Sequence, residues 1–319
     1  MAAEAGTAGV AAGLAAALVL VAALAVDRIL GDPQSRLHPV ALLGRLIGWW
    51  GEPGRWHPEL QRAAGVVCGL GTACLFALPF LIVDRLAPGF PWAFLLLGPF
   101  LLKVTFSWRA LEEHALRVEA AAGEDLGKGR EAAGRMVSRE TAGLTREQTL
   151  SAAWESLSEN LVDSITAPLL FFAAFSFLGL GLTAAAFYRA ANTMDAMLGY
   201  RDQRGRIGWF PARMDDVLTF IPARVTGVLL LAYFAAVGRF RQAFRGLRRD
   251  AGKRPGLNGG IPMAIMAGGA GVRFEKPGVY MMGTGEKTLA DGARDLLRAA
   301  RATTLVLAVL LASTLILLS

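Results

Sequence analysis

Long apolar runs separated by shorter charged stretches dominate the chain. Residues 8–26, 65–83 and 303–318 are almost unbroken apolar runs, and residues 90–104 form a shorter run that contains Pro99. A helix needs about 20 apolar residues to cross the ~30 Å hydrocarbon core of a bilayer. The pattern therefore predicts several membrane-spanning helices.

The middle of the chain is charged and has no long apolar stretch. Residues 107–124 and 148–163 have the periodicity of amphipathic helices, and we expect them to be cytoplasmic helices outside the bilayer core. Residues 167–187 are apolar, but the sequence Gly-Leu-Gly at 179–181 divides them into pieces that are too short to cross alone. This break favours a re-entrant helical hairpin, with a plain crossing as the alternative.

Two stretches of the second half complete the pattern. Residues 225–237 are apolar, and we expect them to end a longer helix that begins near Val217. Residues 239–254 contain the densest group of arginine and lysine residues, which is typical of the cytoplasmic flank of a membrane segment. No linker-like run divides the chain. The pattern thus predicts a single domain over residues 1–319, with an all-α, multi-pass fold in the cell membrane.

The composition agrees with this prediction and reduces the number of possible functional classes. The chain is 54% hydrophobic and 18% charged, whereas soluble domains average about 45–50% and about 25%. The net charge of +7 is not accompanied by the interleaved aromatic pattern of a nucleic-acid surface. Two cysteines and three scattered histidines give no sign of a disulfide framework or of a cysteine–histidine metal site.

Three carboxylates recur at helical spacing just before the apolar run at 167–187. Glu155, Glu159 and Asp163 are four residues apart, so a helix would place them on one face, beside Asn160. Like charges at this spacing destabilise a helix by about 0.2–0.5 kcal/mol per pair. We expect that cost to be offset by a bound cation, by arginines from elsewhere, or by solvation.

Two further polar clusters adjoin apolar segments. Asn192 and Asp195 share a helix face, and Arg213 precedes the pair Asp215 and Asp216. Polar side chains next to lipid are costly and tend to be functional, although structural ion pairs are the alternative. Carboxylate and amide oxygens suit magnesium carried with a nucleotide, and arginines suit phosphate.

Glycine-rich segments leave two interpretations open. The stretch at residues 258–271 allows either close backbone approach to a ligand or tight helix contact. The sequence contains no P-loop, and residues 283–288 (GTGEKT) resemble the end of one only superficially because a glutamate separates the glycine from the lysine.

Six motifs, in order along the chain, resemble those of the CobD/CbiB family, the adenosylcobinamide-phosphate synthases of cobalamin biosynthesis. They are DRILGDP at 27–33 with HPV at 38–40, SRETAGL at 138–144, ESLSENLVDSITAP at 155–168, YRAANTMDAMLGYR at 188–201, RMDD at 213–216 and IPAR at 221–224. A later motif departs from the family. Where the family commonly reads His-Pro-Ser-Pro-Asn, this chain has Arg254, Pro255, Gly256, Leu257 and Asn258.

The resemblance implies an amide-forming enzyme. Adenosylcobyric acid would be joined to (R)-1-aminopropan-2-ol or its phosphate, with ATP and Mg²⁺ as cofactors. Since a carboxylate and an amine do not condense unaided at neutral pH, the expected route is activation of the acid as an acyl phosphate. The implied partners are the corrinoid, the amino alcohol, the lipid bilayer and other membrane enzymes of cobalamin synthesis.

The matching motifs also imply site residues. Glu155, Glu159, Asp163 and Asp195 would organise magnesium and phosphate, with the last three as metal ligands, and Asp215 or Asp216 would be the base that deprotonates the amine. Phosphate or substrate would be bound by Arg139, Glu140, Thr141, Asn160, Arg189, Asn192, Tyr200, Arg201, Arg213 and Asn258.

Two other classes of protein are alternatives. One is a non-catalytic membrane sensor or regulator of the AmpE-like type, which would not need three carboxylate clusters. The other is a transporter or a corrinoid-binding membrane component. Transporters often show inverted repeats with broken helices, whereas this sequence shows one broken segment and no repeat.

Overall fold

The chain folds almost entirely into helices. The structure is a computed structural model that describes residues 2–32, 35, 38–200 and 202–319, with side chains from residue 9 onward in those ranges. The α-helices of this part are α1 (Ala2–Leu30), α2 (Pro39–Trp50), α3 (Gln61–Leu86), α4 (Pro91–Thr105), α5 (Trp108–Glu124), α6 (Leu126–Gly134), α7 (Arg146–Leu161), α8 (Ala167–Ser176), α9 (Gly181–Leu198), α10 (Trp209–Leu218), α11 (Phe220–Ala236), α12 (Phe240–Asp250), α13 (Gly260–Ala270) and α14 (Leu289–Leu317).

One short hairpin interrupts the helical fold. Strands β1 (Arg273–Lys276) and β2 (Tyr280–Gly283) pair antiparallel, with Arg273 opposite Gly283 and Lys276 opposite Tyr280. The predominantly helical fold agrees with the pattern of the sequence, but nothing in that pattern indicated this hairpin.

Four segments of the described chain are long and apolar enough to cross a membrane. They are Gly9–Leu30, Gln61–Leu86, Pro91–Glu124 and Leu289–Leu317, and α10 with α11 would add a fifth if the two count as one span. The predicted runs at 8–26, 65–83, 90–104 and 303–318 each coincide with one of these segments, with at most one residue outside it. Several spans of this kind confirm that the chain has the composition of a membrane protein, while the cytoplasmic position of α5 and α7 stays a prediction.

The predicted break near residue 180 is confirmed. Helix α8 ends at Ser176 and α9 begins at Gly181, with Gly179 between them in the left-handed region at φ +62°. Asp84 of α3 satisfies the first backbone groups of α9. Its carboxylate accepts hydrogen bonds from the Leu182 N–H at 3.3 Å and from the Thr183 N–H and hydroxyl at 2.9 and 2.6 Å. That the two helices form a re-entrant hairpin in the bilayer stays a prediction.

The chain divides into two compact units. The first unit comprises Met1–Ser107, Ala167–Thr219 and Ala308–Ser319, and the second comprises Trp108–Thr166 and Phe220–Leu307. The expectation of one functional domain over residues 1–319 stays a prediction.

In the first unit, α9 is held by a hydrophobic core between α2 and α3. Trp50 is a central member, and its indole N–H donates a 3.0 Å hydrogen bond to the hydroxyl of Thr72. Burial of one face of α9 leaves its polar residues on the remaining surface. The buried members of this core are Leu43, Ile47, Trp50, Ala73, Ala190, Met194, Leu198 and Ile207.

In the second unit, glycines bring α12 and α13 into close contact. A Cβ atom on Gly246 would lie 2.5 Å from the carbonyl oxygen of Ala264, and one on Gly268 would lie 2.7 Å from the carbonyl oxygen of Gln242. All residues from Met263 to Ala270 are buried. The glycine-rich stretch therefore serves tight helix contact, one of the two interpretations that the sequence left open.

Asp250, at the end of α12, fastens the hairpin to the same helix pair. Its side chain is fully buried, pairs with Arg249 and Lys253 at 2.7 Å each, and accepts a 2.8 Å hydrogen bond from the Gly283 N–H. Burial raises the pKa of this carboxyl, but these donors outweigh burial and bring the pKa to about 2. Asp250 is thus a charged anchor at neutral pH.

Candidate functional site

The three carboxylates at 155, 159 and 163, here called the carboxylate row, lie in the second unit. Helix α7 begins with a capping box in which Thr145 and Gln148 satisfy each other's backbone N–H groups. Glu155 and Glu159 belong to α7, whereas Asp163 lies in a π-helical turn, Val162–Thr166. Such turns are rare and frequently occur at functional sites.

Glu155 is buried and fully hydrogen-bonded. Its side chain is 2% exposed and accepts from the guanidinium of Arg139 at 2.5 Å, from the phenol of Tyr280 at 2.7 Å, and from the hydroxyl of Ser151. These three donors satisfy both oxygens of the buried carboxylate. Glu155 therefore fixes the positions of Arg139 and Tyr280.

The β-hairpin is attached to α7 at the same place. The N–H of Glu275 donates to the Ser151 hydroxyl at 2.6 Å, and Gln148 donates to the Glu275 carboxylate at 2.8 Å. Burial raises the pKa of the Tyr280 phenol, and the neighbouring charge of Glu155 raises it further. Tyr280 therefore remains protonated and acts as a hydrogen-bond donor at neutral pH.

Glu159 forms an ion pair with Arg254, from the segment that follows α12. Burial lowers the pKa of the Arg254 guanidinium, but the charges of Glu159 and Asp163 and the hydrogen bond to Glu159 outweigh burial and raise it. Arg254 thus counterbalances two members of the carboxylate row, as Arg139 does for Glu155. Arginines from elsewhere, one of the three ways to offset like charges that the sequence left open, are thus present beside the row.

Two amides predicted to bind substrate have structural contacts. Asn160 donates to the carbonyl oxygen of Ser156 at 2.9 Å and accepts from the hydroxyl of Ser164 at 3.2 Å, so it braces the end of α7 against the π-turn. Asn258 is buried and accepts a 2.6 Å hydrogen bond from Arg224. Both amides shape the surroundings of the carboxylate row.

The residues that follow Arg139 differ in exposure. The hydroxyl of Thr141 donates to the carbonyl oxygen of Arg130 at 2.8 Å and thereby supports the end of α6. Glu140 is exposed. Within this motif, Arg139 is the residue that contacts the carboxylate row.

The first unit contains a different arrangement around Asp215. This carboxylate is 8% exposed and accepts from the amide of Asn192 at 3.3 Å and from the hydroxyl of Thr219 at 3.4 Å. The charges of Asp195 and Asp216 both act on it. We call Asp195 and Asp215 the acidic pair, since α9 and α10 place two carboxylates beside each other here.

The absence of a side chain at Gly199 leaves room for the side chain of Asp195. The N–H of Gly199 donates a 2.7 Å hydrogen bond to the carbonyl oxygen of Asp195 at the end of α9. A Cβ atom at residue 199 would lie 2.1 Å from the Asp195 carboxylate. Any larger residue here would displace the carboxylate of Asp195.

The described cationic and aromatic candidates of the first unit lie on α9, on α10 and in the segment between these helices. Arg213 is 65% exposed and its guanidinium lies 3.5 Å from the Asp216 carboxylate. The guanidinium of Arg204 lies 4.2 Å from the ring centroid of Tyr200. Arg189 is half-buried on α9. Arg201 lies outside the described residues.

A buried ionic group in the first unit was missed by sequence reasoning. Lys103 of α4 lies 3.2 Å from the carboxylate of Asp27 and also pairs with Asp32. The hydroxyl of Ser107 donates to Asp32 at 2.5 Å. Burial raises the pKa of Asp32, but the contacts with Lys103 and Ser107 outweigh burial and hold the pKa below its usual range.

His38 adjoins this ionic group and starts α2. Its Nδ1 accepts from the Val40 N–H at 3.3 Å. Burial lowers the pKa of His38, and the charges of Lys103 and Arg189 lower it further against the opposing effect of Asp32. The motifs at 27–33 and 38–40 had drawn attention to three of these residues, but no motif includes Lys103, which lies near the end of the apolar run at 90–104.

The structure brings the predicted residues together in two sets rather than one. The carboxylate row, Arg139 and Asn258 belong to the second unit, and Asn192, Asp195, Asp215 and Asp216 belong to the first. Among the described residues, no group of three or more His, Cys, Asp or Glu side chains has the arrangement of a metal site. A magnesium ion that arrives with a nucleotide needs fewer protein ligands, usually one or two carboxylates besides the phosphates.

Comparison with known proteins identifies the family. The family model described as "CobD/Cbib protein" matches residues 20–308. The chain belongs to the CobD/CbiB family. It is 41% identical over 267 residues to the "Probable cobalamin biosynthesis protein CobD" of Methanothermobacter thermautotrophicus, which covers 83% of this chain and 86% of the relative. The resemblance stated from the motifs is thereby confirmed.

Other members of the CobD/CbiB family agree. A protein of the same name from Thermococcus kodakarensis is 42% identical over 260 residues, or 81% of this chain and 82% of the relative. The "Cobalamin biosynthesis protein CobD" of Dehalococcoides mccartyi is 34% identical over 273 residues, or 83% and 86%. No solved structure matches the chain.

Proposed function

We propose that the protein is the adenosylcobinamide-phosphate synthase of cobalamin biosynthesis, an amide-forming ligase. The observation that carries this proposal is the match of residues 20–308 to the CobD/CbiB family, with relatives over 40% identical that are named for cobalamin biosynthesis. The substrates would be a corrinoid acid, adenosylcobyric acid, and an aminopropanol or its phosphate. The acidic pair would lie beside a lipid bilayer, because α10 is followed directly by the apolar helix α11.

The reaction needs an activated acid. ATP would supply the phosphoryl group that makes the corrinoid carboxyl reactive, and Mg²⁺ would balance the phosphate charges. The donor set that fits this ion is the acidic pair, because Asp195 and Asp215 are neighbouring carboxylates and the amide oxygen of Asn192 lies on the same side of α9. Glu159 fits less well because Arg254 already neutralises it. We therefore retain Asp195 as a ligand and propose Asp215 in place of Glu159 and Asp163.

The remaining groups would bind the substrates and move the proton. Arg139 and Arg254 present guanidinium groups of the kind that binds phosphate or carboxylate in a forked manner, and the carboxylate row holds them in place. Asp216 is half-buried, with its side chain 32% exposed, so it can reach an incoming amine. A base must come within hydrogen-bond reach of the proton that it takes. We propose Asp216 for that role.

Product formation tests the enzyme directly. Full-length protein in detergent would be incubated with adenosylcobyric acid, aminopropanol phosphate, ATP and Mg²⁺, and the amide would be detected by mass spectrometry. We expect the amide, together with consumption of ATP. Folded protein that gives neither product nor ATP turnover with the free amino alcohol or its phosphate would overturn the proposal.

Variants separate the roles within the site. Asp216→Asn should lower turnover even at saturating Mg²⁺, because the base is missing, whereas Asp195→Asn should raise the Mg²⁺ concentration needed for half-maximal rate. The matched control is Asp202→Asn, since Asp202 is an exposed carboxylate that bonds Arg204. Equal effects of all three variants would remove the acidic pair from the site.

A further inference from the structure

Helix α12 presents two very different faces. Its inner face, with Ala243, Gly246 and Asp250, is buried against the rest of the second unit. On its outer face Phe240 and Phe244 are 44% and 39% exposed, and their rings stack with centroids 5.6 Å apart. Two large aromatic side chains that stack on each other in an exposed position indicate a surface that another apolar medium covers.

Arginines surround these rings. A shallow groove along the outer face is lined by Phe240, Phe244 and the arginines of the helix. Arg241, Arg245 and Arg248 are exposed and make no hydrogen bond or ion pair within the part of the chain that the structure describes. The one acidic residue of α12, Asp250, is buried and already paired. The exposed face therefore carries positive charge alone, which complements an anionic surface.

The preceding helix indicates where this face lies relative to a membrane. Helix α11 has an exposed apolar side that includes Val228 (65%) and continues to Val237 (47%). Gly238, with φ +75°, turns the chain, and α12 begins two residues later. The exposed apolar surface thus passes from α11 directly to Phe240 and ends among arginines.

Helix α14 gives a second indication of where the outer face of α12 lies relative to a membrane. Arg239, the residue before α12, forms a 2.6 Å ion pair with Asp295 in the first turns of α14. The apolar run of α14, at 303–318, begins about two helical turns further on. The start of α12 therefore lies near the polar ends of two apolar helices, where the headgroups of a bilayer would be.

We propose that the outer face of α12 binds the surface of an anionic lipid bilayer. Phe240 and Phe244 lie in the headgroup region, and Arg241, Arg245 and Arg248 bind lipid phosphates. Amphipathic helices with aromatic residues on one side and arginines beside them bind membranes in this way, through apolar burial and attraction to anionic lipids. A soluble partner protein would not account for the position of this face at the polar ends of two apolar helices.

Accessibility of a spin label tests the position of the helix. In full-length protein with Cys68→Ala and Cys74→Ala, Phe244→Cys would be labelled and the protein placed in nanodiscs of phosphatidylcholine with phosphatidylglycerol. The matched control is Arg135→Cys, directly after α6, whose native side chain is 74% exposed. We expect the label at 244 to be more accessible to oxygen and less accessible to a water-soluble nickel complex than the label at 135.

Two results of this measurement would overturn the proposal. Equal access of the nickel complex to both labels would show that the face is in water. Exclusion of both reagents from residue 244, with spin–spin coupling between labels, would show that a second copy of the chain covers it. Neither result depends on enzymatic activity, so the proposal is tested separately from the proposed function.

Lipid affinity tests the charges. Native mass spectrometry of the full-length protein would measure binding of phosphatidylglycerol to the wild type, Arg245→Gln and the control Arg135→Gln. An arginine near an anionic surface contributes attraction equivalent to about a 5-fold change in affinity. We expect about that loss for Arg245→Gln and none for the control, and equal affinities in all three proteins would contradict lipid binding by α12.

Discussion

The carboxylates of the two units differ in what surrounds them. In the second unit, Glu155, Glu159 and Asp250 each have an arginine or lysine beside them, and two of these carboxylates are completely buried or nearly so. In the first unit, Asp215 is equally buried, but its donors are the neutral groups of Asn192 and Thr219, and the charges of two other carboxylates act on it.

This difference separates carboxylates that anchor the fold from the carboxylates that we propose for catalysis. A carboxylate that already has a cation contributes to the native structure and fixes the position of that cation. Carboxylates held next to each other are unfavourable by themselves and gain stability when a cation or a proton arrives. Residues of strained electrostatic environment cluster at functional sites. The comparison therefore supports the proposals that the acidic pair takes part in the chemistry and that the carboxylate row positions Arg139 and Arg254.

The largest effect is expected when the best-paired carboxylate loses its charge. Glu155→Gln leaves Arg139 buried without a counter-charge, which costs about 3–5 kcal/mol of folding stability. Thermal unfolding in detergent would measure the loss. The control is Glu113→Gln, an exposed pair with Arg109, for which we expect less than about 1 kcal/mol.

A double variant sharpens this first prediction. Arg139→Met combined with Glu155→Leu removes both charges, and replacement of a buried pair by apolar residues is often neutral. The double variant should therefore be more stable than Glu155→Gln alone. If it is less stable, the pair does more than balance charge at this position.

The acidic pair should show the opposite behaviour. Asp215→Asn relieves repulsion with Asp195, so its folding stability should be equal to or higher than that of the wild type, while amide formation should fall by about 100-fold or more, the usual scale for loss of an essential charged group. Product measured by mass spectrometry and unfolding measured in the same preparation check both parts. An active variant, or an inactive one that has lost stability, would contradict the assignment.

The contribution of an anchored carboxylate to folding stability should depend on pH, and Asp250 is the test case. The pKa of Asp250 is about 2 in the folded protein against an ordinary value of 3.8, so its contribution to stability is fully present above pH 4 and is lost as the pH falls through 2. The difference corresponds to about 2 kcal/mol. Asp250→Asn should thus be about that much less stable than the wild type at neutral pH, and the gap should close below pH 3. A gap that stays constant with pH would mean that size and shape, rather than charge, determine the effect.

The smallest effect is expected at the exposed rim of the first unit. Arg213 is 65% exposed and only 3.5 Å from Asp216, so Arg213→Gln should change folding stability by less than about 0.5 kcal/mol. A change in KM for the phosphorylated substrate without a change in stability would show that Arg213 contacts substrate. Unchanged kinetics would restrict its role to the surface.

The sequence predicted the helical architecture well because apolar runs and glycine breaks depend on local pattern. The apolar runs, the break at Gly179 and the helix that begins near Val217 each have a counterpart in the structure. The β-hairpin was not predicted, since its stability depends on distant contacts such as Ser151 with Glu275 and Glu155 with Tyr280. A four-residue strand carries little local signal.

Site residues were predicted as residue types, and their partners were not. The motifs identified Glu155 and Glu159, but whether each would bind a cation or an arginine depended on Arg139 and Arg254, which lie 16 and 95 positions away. Lys103 could not be recognised, because a lysine at the end of an apolar run is usually solvated. Pairing over such separations is a property of the fold and not of local spacing.

The cap that Asp84 places on α9 has a mechanical consequence. One carboxylate on α3 accepts two backbone N–H groups and a hydroxyl at the first turn of α9, so neither helix can slide along the other without exposing those groups where water is scarce. Asn192 and Asp195 lie about three turns further along α9. This contact, which is remote from the acidic pair, thus fixes the position of Asn192 and Asp195 along the axis of α9.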